Sequence, residues 1–513
     1  MTASFASRPT KRAMLLGAIC TPFLSGCFMV GPNYHRPHAV ISAHFKEAPQ
    51  PPPGWTTAQP AMAEANKGKW WEIYNDPTLN QLEDQVALNN QNLKGYEAQF
   101  RRAEALIDSI RAQLFPTLSG SFSFQRIARG GDSTSASSGT LVRYSSQVTE
   151  NTWNTGPTAN WDLDLWGKIR RQIQEQVTAT QATAAEVANM RLSYQAQLAN
   201  DYFELRYQDS LRKLYARNVI YYRHAYDIVE NQLKAGVADP ATALQQRYVL
   251  ESAEASETNA GVLRAQYEHA IAVLIGRAPA DLSIPEGDLT DRLPPVPVTV
   301  PSTLLQRRPD IAQAEREMEE YNAEIGYEIA AFYPDVSVSA QYGYSGNPLQ
   351  TLIQAATRYW SLGASSTETL FSGGSRTAAV REARADYDNS VANYRQTVLT
   401  ALQGVEDNFS NLRILRQQYG QQLAAVTTSQ EAVRVAMNEY LAGTQVYTTV
   451  INAEQSALQY EQTALQIREQ LALSHVDLIE NLGGGWDVSQ LPSKASLQTN
   501  NPFLPEFLQK TKE

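Results

Sequence analysis

Residues 168–235 of this sequence contain neither glycine nor proline. At ~1.5 Å per residue, these ~68 residues predict roughly 100 Å of unbroken helix, longer than any single globular core needs. Residues 376–442 repeat the feature, interrupted only by Gly404 and Gly420, and 241–275 and 444–482 supply shorter returns. Apolar residues in these segments are sparse, often alanine, and three or four apart, as in Ala188, Leu192, Ala196, Ala199 and Phe203. Such a narrow stripe suits close packing in a coiled coil or helical barrel, with Gln, Asn, Glu and Arg on wet faces. Glycine marks each reversal, in Ala235-Gly236-Val237 and Ala442-Gly443-Thr444, where it can adopt the left-handed cap conformation. The chain therefore carries two long helical hairpins.

Ahead of each helical hairpin the period changes to two. After Ala112-Gln113-Leu114-Phe115-Pro116, the residues Leu118, Gly120, Phe122 and Phe124 alternate with Ser119, Ser121 and Ser123. After Ala330-Ala331-Phe332-Tyr333-Pro334, Val336, Val338, Ala340, Tyr342 and Tyr344 alternate with Ser337, Ser339, Gln341 and Gly343. A Gly/Ser-rich connection around 130–139 leads to a returning strand through Trp153, Ala159, Trp161, Leu163 and Leu165, and a shorter one near 345–357 leads to a return through Trp360, Leu362 and Ala364. These strands have one apolar and one polar face and reach the ~9–11 residues that cross a bilayer. Trp153 and Trp161 near strand ends fit an interfacial aromatic girdle, although a soluble sheet with one wet face has the same alternation. Strand hairpin plus helical hairpin, repeated at a spacing of a little over two hundred residues, makes a duplicated frame. Four strands cannot close a barrel, and an open edge in hydrocarbon leaves backbone groups unpaired, so membrane insertion requires several chains.

The remaining composition narrows the class. A formal charge of −10 has the wrong sign for a protein that neutralises phosphates, which argues against nucleic-acid binding. Hydrophobic content of 43% is enough to fold, while a mean hydropathy of −0.39 and no long apolar run beyond the N-terminus exclude a bundle of membrane helices. Arg8, Lys11 and Arg12 precede a short apolar stretch at 13–23, which reads as a signal peptide. It ends in Leu24-Ser25-Gly26-Cys27 and resembles the bacterial lipoprotein signal, in which the cysteine is acylated and becomes the mature N-terminus. Removing 1–26 takes the charge to −13 and leaves Cys27 as the single cysteine, so no internal disulfide forms. The acidic balance suggests a lumen favouring cations. The expected segments are signal peptide 1–26, lipidated extended tether 27–75, first repeat 76–290 with strand hairpin 116–165 and helices 168–275, second repeat 291–485 with strand hairpin 334–371 and helices 376–482, and polar tail 486–513.

Further motifs occur in order on this frame: Val30-Gly31-Pro32-Asn33-Tyr34, Trp161-Asp162-Leu163-Asp164-Leu165-Trp166-Gly167, residues 301–310 (PSTLLQRRPD) and Leu482-Gly483-Gly484-Gly485-Trp486. Together they resemble the TolC-like outer-membrane efflux proteins, in the lipoprotein branch with OprM and NodT-type proteins. The resemblance implies a mainly α fold with β: a homotrimer with a twelve-stranded outer-membrane β-barrel continuous with a periplasmic α-helical barrel. It also implies a passive exit duct of a tripartite efflux pump, joined through a periplasmic adaptor (membrane fusion protein) to an inner-membrane transporter. Adaptor tips would meet Ala235, Gly236, Val237, Ala442, Gly443 and Thr444. The family's periplasmic gate uses a tyrosine, matched by Tyr440, but its basic and aspartate positions hold Gln445, Thr449 and Asn452 here. Asp239 is the nearest other carboxylate, and weaker cation binding at the constriction is expected.

An enzyme is the first competing reading. His35 and His38 lack a third ligand, and His224, His269 and His475 are isolated on helices. Asp162 and Asp164 share a strand face without an accompanying nucleophile motif, so a lumen-facing pair accounts for them. No metal site, no cofactor beyond the lipid on Cys27, and no catalysis is expected. A periplasmic adaptor lipoprotein would have one helical hairpin and no membrane-length strand hairpins. A duct for protein or polysaccharide rather than small amphiphiles is the alternative within the channel class.

Overall fold

The computed structural model describes residues 29–39, 41–48, 68–137, 140–290, 293–295 and 301–498, with backbone alone for 129 and 131–148. The signal segment, Cys27, the proline-rich stretch at 49–53 and the end of the tail lie outside the described residues. The helices are α1 (Pro77–Asn89), α2 (Gln91–Ala112), α3 (Lys168–Lys234), α4 (Pro240–Leu274), α5 (Leu304–Arg307), α6 (Pro309–Ala330), α7 (Ser375–Leu441) and α8 (Tyr447–Asn481). The strands are β1 (Thr117–Ser137), β2 (Thr140–Leu163), β3 (Asp335–Gly346) and β4 (Arg358–Thr367).

The duplication extends to helix length. Helices α2 and α6 each have 22 residues, α3 and α7 each 67, and α4 and α8 each 35. Both long helices run ~100 Å and start after a left-handed glycine, Gly167 (φ 81°) or Gly374 (φ 89°). Both end in the same cap. Val237 N–H donates to the Gln232 carbonyl (2.8 Å) with Gly236 at φ 75°, and Thr444 N–H donates to the Glu439 carbonyl (3.0 Å) with Gly443 at φ 69°.

The strands form one antiparallel sheet in the order β1-β2-β3-β4. Leu118, Ala159, Ala340 and Leu362 stand in one row across it, and Ser119, Thr158, Gln341 and Ser361 in the next. Because paired residues share a face, one side is apolar and the other carries hydroxyls and amides. Two expectations are corrected here. Residues 130–137 are not a connection: β1 and β2 run 21 and 24 residues and pair up to Ser137↔Thr140, far past β3 and β4 at 12 and 10. Trp153 is consequently mid-strand in β2, level with Gly346 at the end of β3, and packs on Phe124 (4.5 Å between centroids). The ladder persists through a Ser/Gly-rich ribbon because pairing needs only backbone, which composition disguises as a loop.

Among the described residues the helices pack around four apolar clusters, a small one beside the sheet, two about the middle of the long helices and one near the hairpin ends. Within one of the middle two, fully buried His475 accepts the Tyr74 hydroxyl at Nδ1 (2.7 Å) and donates from Nε2 to the Pro294 carbonyl (2.9 Å). Burial lowers its pKa from 6.5 to about 4. The unfolded chain therefore binds the extra proton between these values, and stability falls as pH drops from 6.5 towards 4, by about 3 kcal/mol at the limit. Thermal unfolding of wild type and His475→Asn should show the wild type's advantage shrinking across that window.

Candidate functional site

Three structural regions bear on function: the sheet, a socket at its base, and the hairpin tips. In the sheet, β1 and β4 each keep one unpaired edge. The apolar face is bare, with Leu118, Phe122, Trp360 and Leu362 all exposed, while the opposite face is knitted by Ser337 to Ser365 (2.8 Å) and Gln341 to Tyr359 (3.0 Å). Asp335, at the sheet base, is paired with Lys168 at 3.6 Å. Asp164 does not form a pair with Asp162 across a lumen. Its carboxylate caps α3, accepting from Ile169 N–H (3.1 Å), Arg170 N–H (3.1 Å) and Arg170 Nε (2.9 Å). A helix start follows β2 within a few residues, and its free N–H groups claim the acid.

The socket explains the Val30-Gly31-Pro32-Asn33-Tyr34 motif. Val30 N–H donates to the Trp166 carbonyl (3.1 Å), directly beneath the sheet. Arg171, 1% exposed, reaches the Val30 and Gly31 carbonyls (2.9 and 3.1 Å) and Gln174 Oε1 (2.9 Å). Burial lowers the guanidinium pKa. Gly31 takes φ 95° and lies so near Gly326 that a Cβ on it would stand 2.5 Å from the Gly326 Cα. Further on, Arg36 bonds the Tyr394 hydroxyl (3.1 Å), and Glu406 accepts the N–H groups of Lys46 and Glu47 (2.7 and 2.9 Å). Residues 29–39 and 41–48 are thus strapped down the second repeat from Val30 at the sheet base. Arg171 and Gly326 carried no sequence signal beyond a basic residue and a glycine in helical runs.

Of the remaining motifs, one joins the repeats and the others tie the two ends of the second repeat together. Trp166 stacks on Tyr333 (4.9 Å) and donates Nε1 to the Pro334 carbonyl (2.9 Å). Arg308 grips the Asn481 carbonyl (2.8 Å) and Asp310 (2.7 Å) next to Gly483, where a side chain would strike the Arg307 backbone.

At the tips, Ala235, Gly236, Val237, Ala442, Gly443 and Thr444 are all exposed, Val237 to 78%. Among the gate candidates, Tyr440 links the two hairpins: its hydroxyl donates to Gln232 Oε1 (2.5 Å) and its ring meets Tyr447 edge-on (4.8 Å). Asp239 is exposed. It caps α4 through Thr242 N–H (3.0 Å) and Thr242 Oγ1 (2.7 Å), bonds that hold its pKa below the ordinary value. Gln445 accepts from Thr449 Oγ1 at 3.5 Å, and Asn452 is exposed. Sequence reading missed Glu454, a carboxyl buried one helical turn's breadth inside these positions.

The family model described as outer membrane efflux protein matches residues 82–277 and 300–484. The toluene efflux pump outer membrane protein TtgC of Pseudomonas putida is 30% identical over 501 residues, covering 95% of this chain and 99% of its own. The outer membrane protein OprJ of Pseudomonas aeruginosa is 26% identical over 481 residues, covering 93% and 97%. The solved outer-membrane channel OprN superposes with a TM-score of 0.78 at 28% identity over 89% of this chain and 99% of its own. With the motifs, the duplicated frame and the open sheet in agreement, the chain belongs to the outer membrane efflux protein family.

Proposed function

We propose that the protein is the passive exit duct of a tripartite efflux pump for small amphiphilic compounds. It works as a homotrimer, held by lipid on Cys27 and coupled through a periplasmic adaptor at the hairpin tips to an inner-membrane transporter. The observation that carries this reading is the four-stranded sheet with one bare apolar face and two unpaired edges, which only further strands can seal in hydrocarbon. The socket supports the anchor, because it brings the chain three residues past Cys27 to the sheet base. The exposed apolar tip residues Val237, Leu441 and Val446 support the docking role. Transport through such a duct needs no catalytic group, and the family is one of channels.

Internal equivalence supplies the interface between copies. Within one chain, Trp166 after β2 packs on Tyr333-Pro334 before β3. The matching residues after β4, Leu370 and Phe371, are 94% and 88% exposed, and Phe115 before β1 is 40% exposed. Phe371 of one copy then covers Phe115-Pro116 of the next as β4 pairs with β1. Oxidation of the double variant Phe115→Cys, Phe371→Cys is expected to yield a covalent trimer in outer-membrane fractions, with neither single variant doing so. Absence of the covalent species in a conducting, heat-resistant trimer overturns this interface.

A further inference from the structure

Glu454, on α8, lies where the two helical hairpins meet. It is 4% exposed, and neither of its carboxyl oxygens makes a well-formed hydrogen bond. The cluster around it draws on both hairpins: Tyr222, Val249 and Leu250 from α3 and α4, Ala436 from α7, and Tyr447, Val450 and Ile451 from α8. The Tyr222 and Tyr447 hydroxyls and Gln246 Oε1 are likewise buried without an acceptor or donor. A buried seam holding an acid and several spare hydroxyl and amide groups is costly to keep closed once the acid ionises. The same wall that lacks acids at Thr449 and Asn452 holds one inside instead.

We infer that Glu454 is a proton-operated latch of the periplasmic end: neutral, it lets the two hairpins seal against each other, and ionised, it drives the seam to hydrate and part. This rests on the duct reading and assigns a regulation to it. The titratable groups that interact with Glu454 are Tyr221 and Tyr222 from α3 and Tyr447 on α8; Tyr440 from α7 packs on Tyr447, and Gln246 from α4 bonds the Tyr222 carbonyl. The charged residues nearby are paired, Arg217 of α3 with Glu461 of α8 and Arg223 of α3 with Glu254 of α4. Burial raises the Glu454 pKa from 4.5 to about 7, offset in part by the Tyr221 hydroxyl. A carboxyl whose pKa is raised in the sealed state supports sealing fully below its hydrated value. That support is lost as pH climbs from 4.5 through about 7. The sealed population relative to the parted one should therefore fall by on the order of a hundredfold across that range.

The test compares full-length wild type with Glu454→Gln, and with Glu461→Gln as a control carboxylate. Open probability in planar bilayers between pH 5 and 8 is expected to rise steeply for wild type and Glu461→Gln, and to stay low and flat for Glu454→Gln. In parallel, amide hydrogen exchange of residues 215–240 and 436–460, corrected for the intrinsic pH dependence, is expected to quicken with pH in wild type alone of the Glu454 pair. Exchange that is flat in wild type, or that keeps the wild-type profile in Glu454→Gln, overturns the latch. Because exchange reads the seam directly, a protein that never conducts defeats the duct reading while leaving the latch decided. Should Glu454→Gln fail to trimerise, Glu454→Leu, which fills the same apolar site, takes its place with the same expected outcome.

Discussion

Replacement of Gly156 by valine is expected to eliminate both the heat-resistant trimer and channel conductance. Gly156 lies in β2 at the one break in the β2–β3 ladder, between the pairs Thr155↔Tyr344 and Thr158↔Gln341. There the two backbones approach closely: a Cβ on Gly156 would fall against the Tyr342 carbonyl and 2.6 Å from the Gly343 Cα, and a Cβ on Gly343 would stand 2.5 Å from the Thr155 carbonyl. No flexible side chain can yield, so the strands must separate. Overpacking of this kind costs ~3 kcal/mol per site, and a ring of three copies meets it three times. The β2–β3 pairing is also the sheet's sole link between the two repeats. Gly120→Ala on β1, where a Cβ meets open space, should leave trimer and conductance unchanged. Heated and unheated electrophoresis with bilayer recording reads both variants.

The second large effect is expected at the socket. Arg171→Ala removes the donors to the Val30 and Gly31 carbonyls and empties the space against Gly326, whose Cβ would stand 2.6 Å from Arg171 Nε. One buried and one part-buried carbonyl left unpaired cost about 3 kcal/mol together. Segment 29–48 is expected to lift away about a hundredfold more often, seen as faster tryptic cleavage after Lys46, since cleavage tracks the open population. Arg171→Lys, which can restore one of the bonds, should fall between. Cleavage rates equal to wild type in Arg171→Ala would show that the strap downstream, through Glu406 and through Arg413 paired with Glu47 (2.6 Å), holds the segment alone.

Much of the architecture was readable because it is periodic. The absence of breakers over 168–235, the glycines at 236 and 443, and the alternation after Pro116 and Pro334 each express a backbone rule that acts locally. The helix ends came within a few residues of the observed ones for the same reason. What stayed hidden depends on long-range neighbours. Asp164 looked like half of a carboxylate pair until α3 began beside it, and the ribbon at 130–137 looked like a loop because serine and glycine do not announce a ladder. Arg171 and Glu454 are ordinary polar residues in helical runs. Only the arrival of residues 30–31 at one, and of the opposite hairpin at the other, gives each its chemistry.

The equal lengths of α3 and α7, and of α4 and α8, limit how this molecule can change. A gain or loss of seven residues in one member shifts that tip by ~10 Å relative to its twin. In a ring this leaves every second finger short, and a docking collar that needs all of them level loses half its footing. Insertions and deletions in these helices should therefore survive only when matched in both halves of the gene, so that the two arms keep pace like the legs of a trestle.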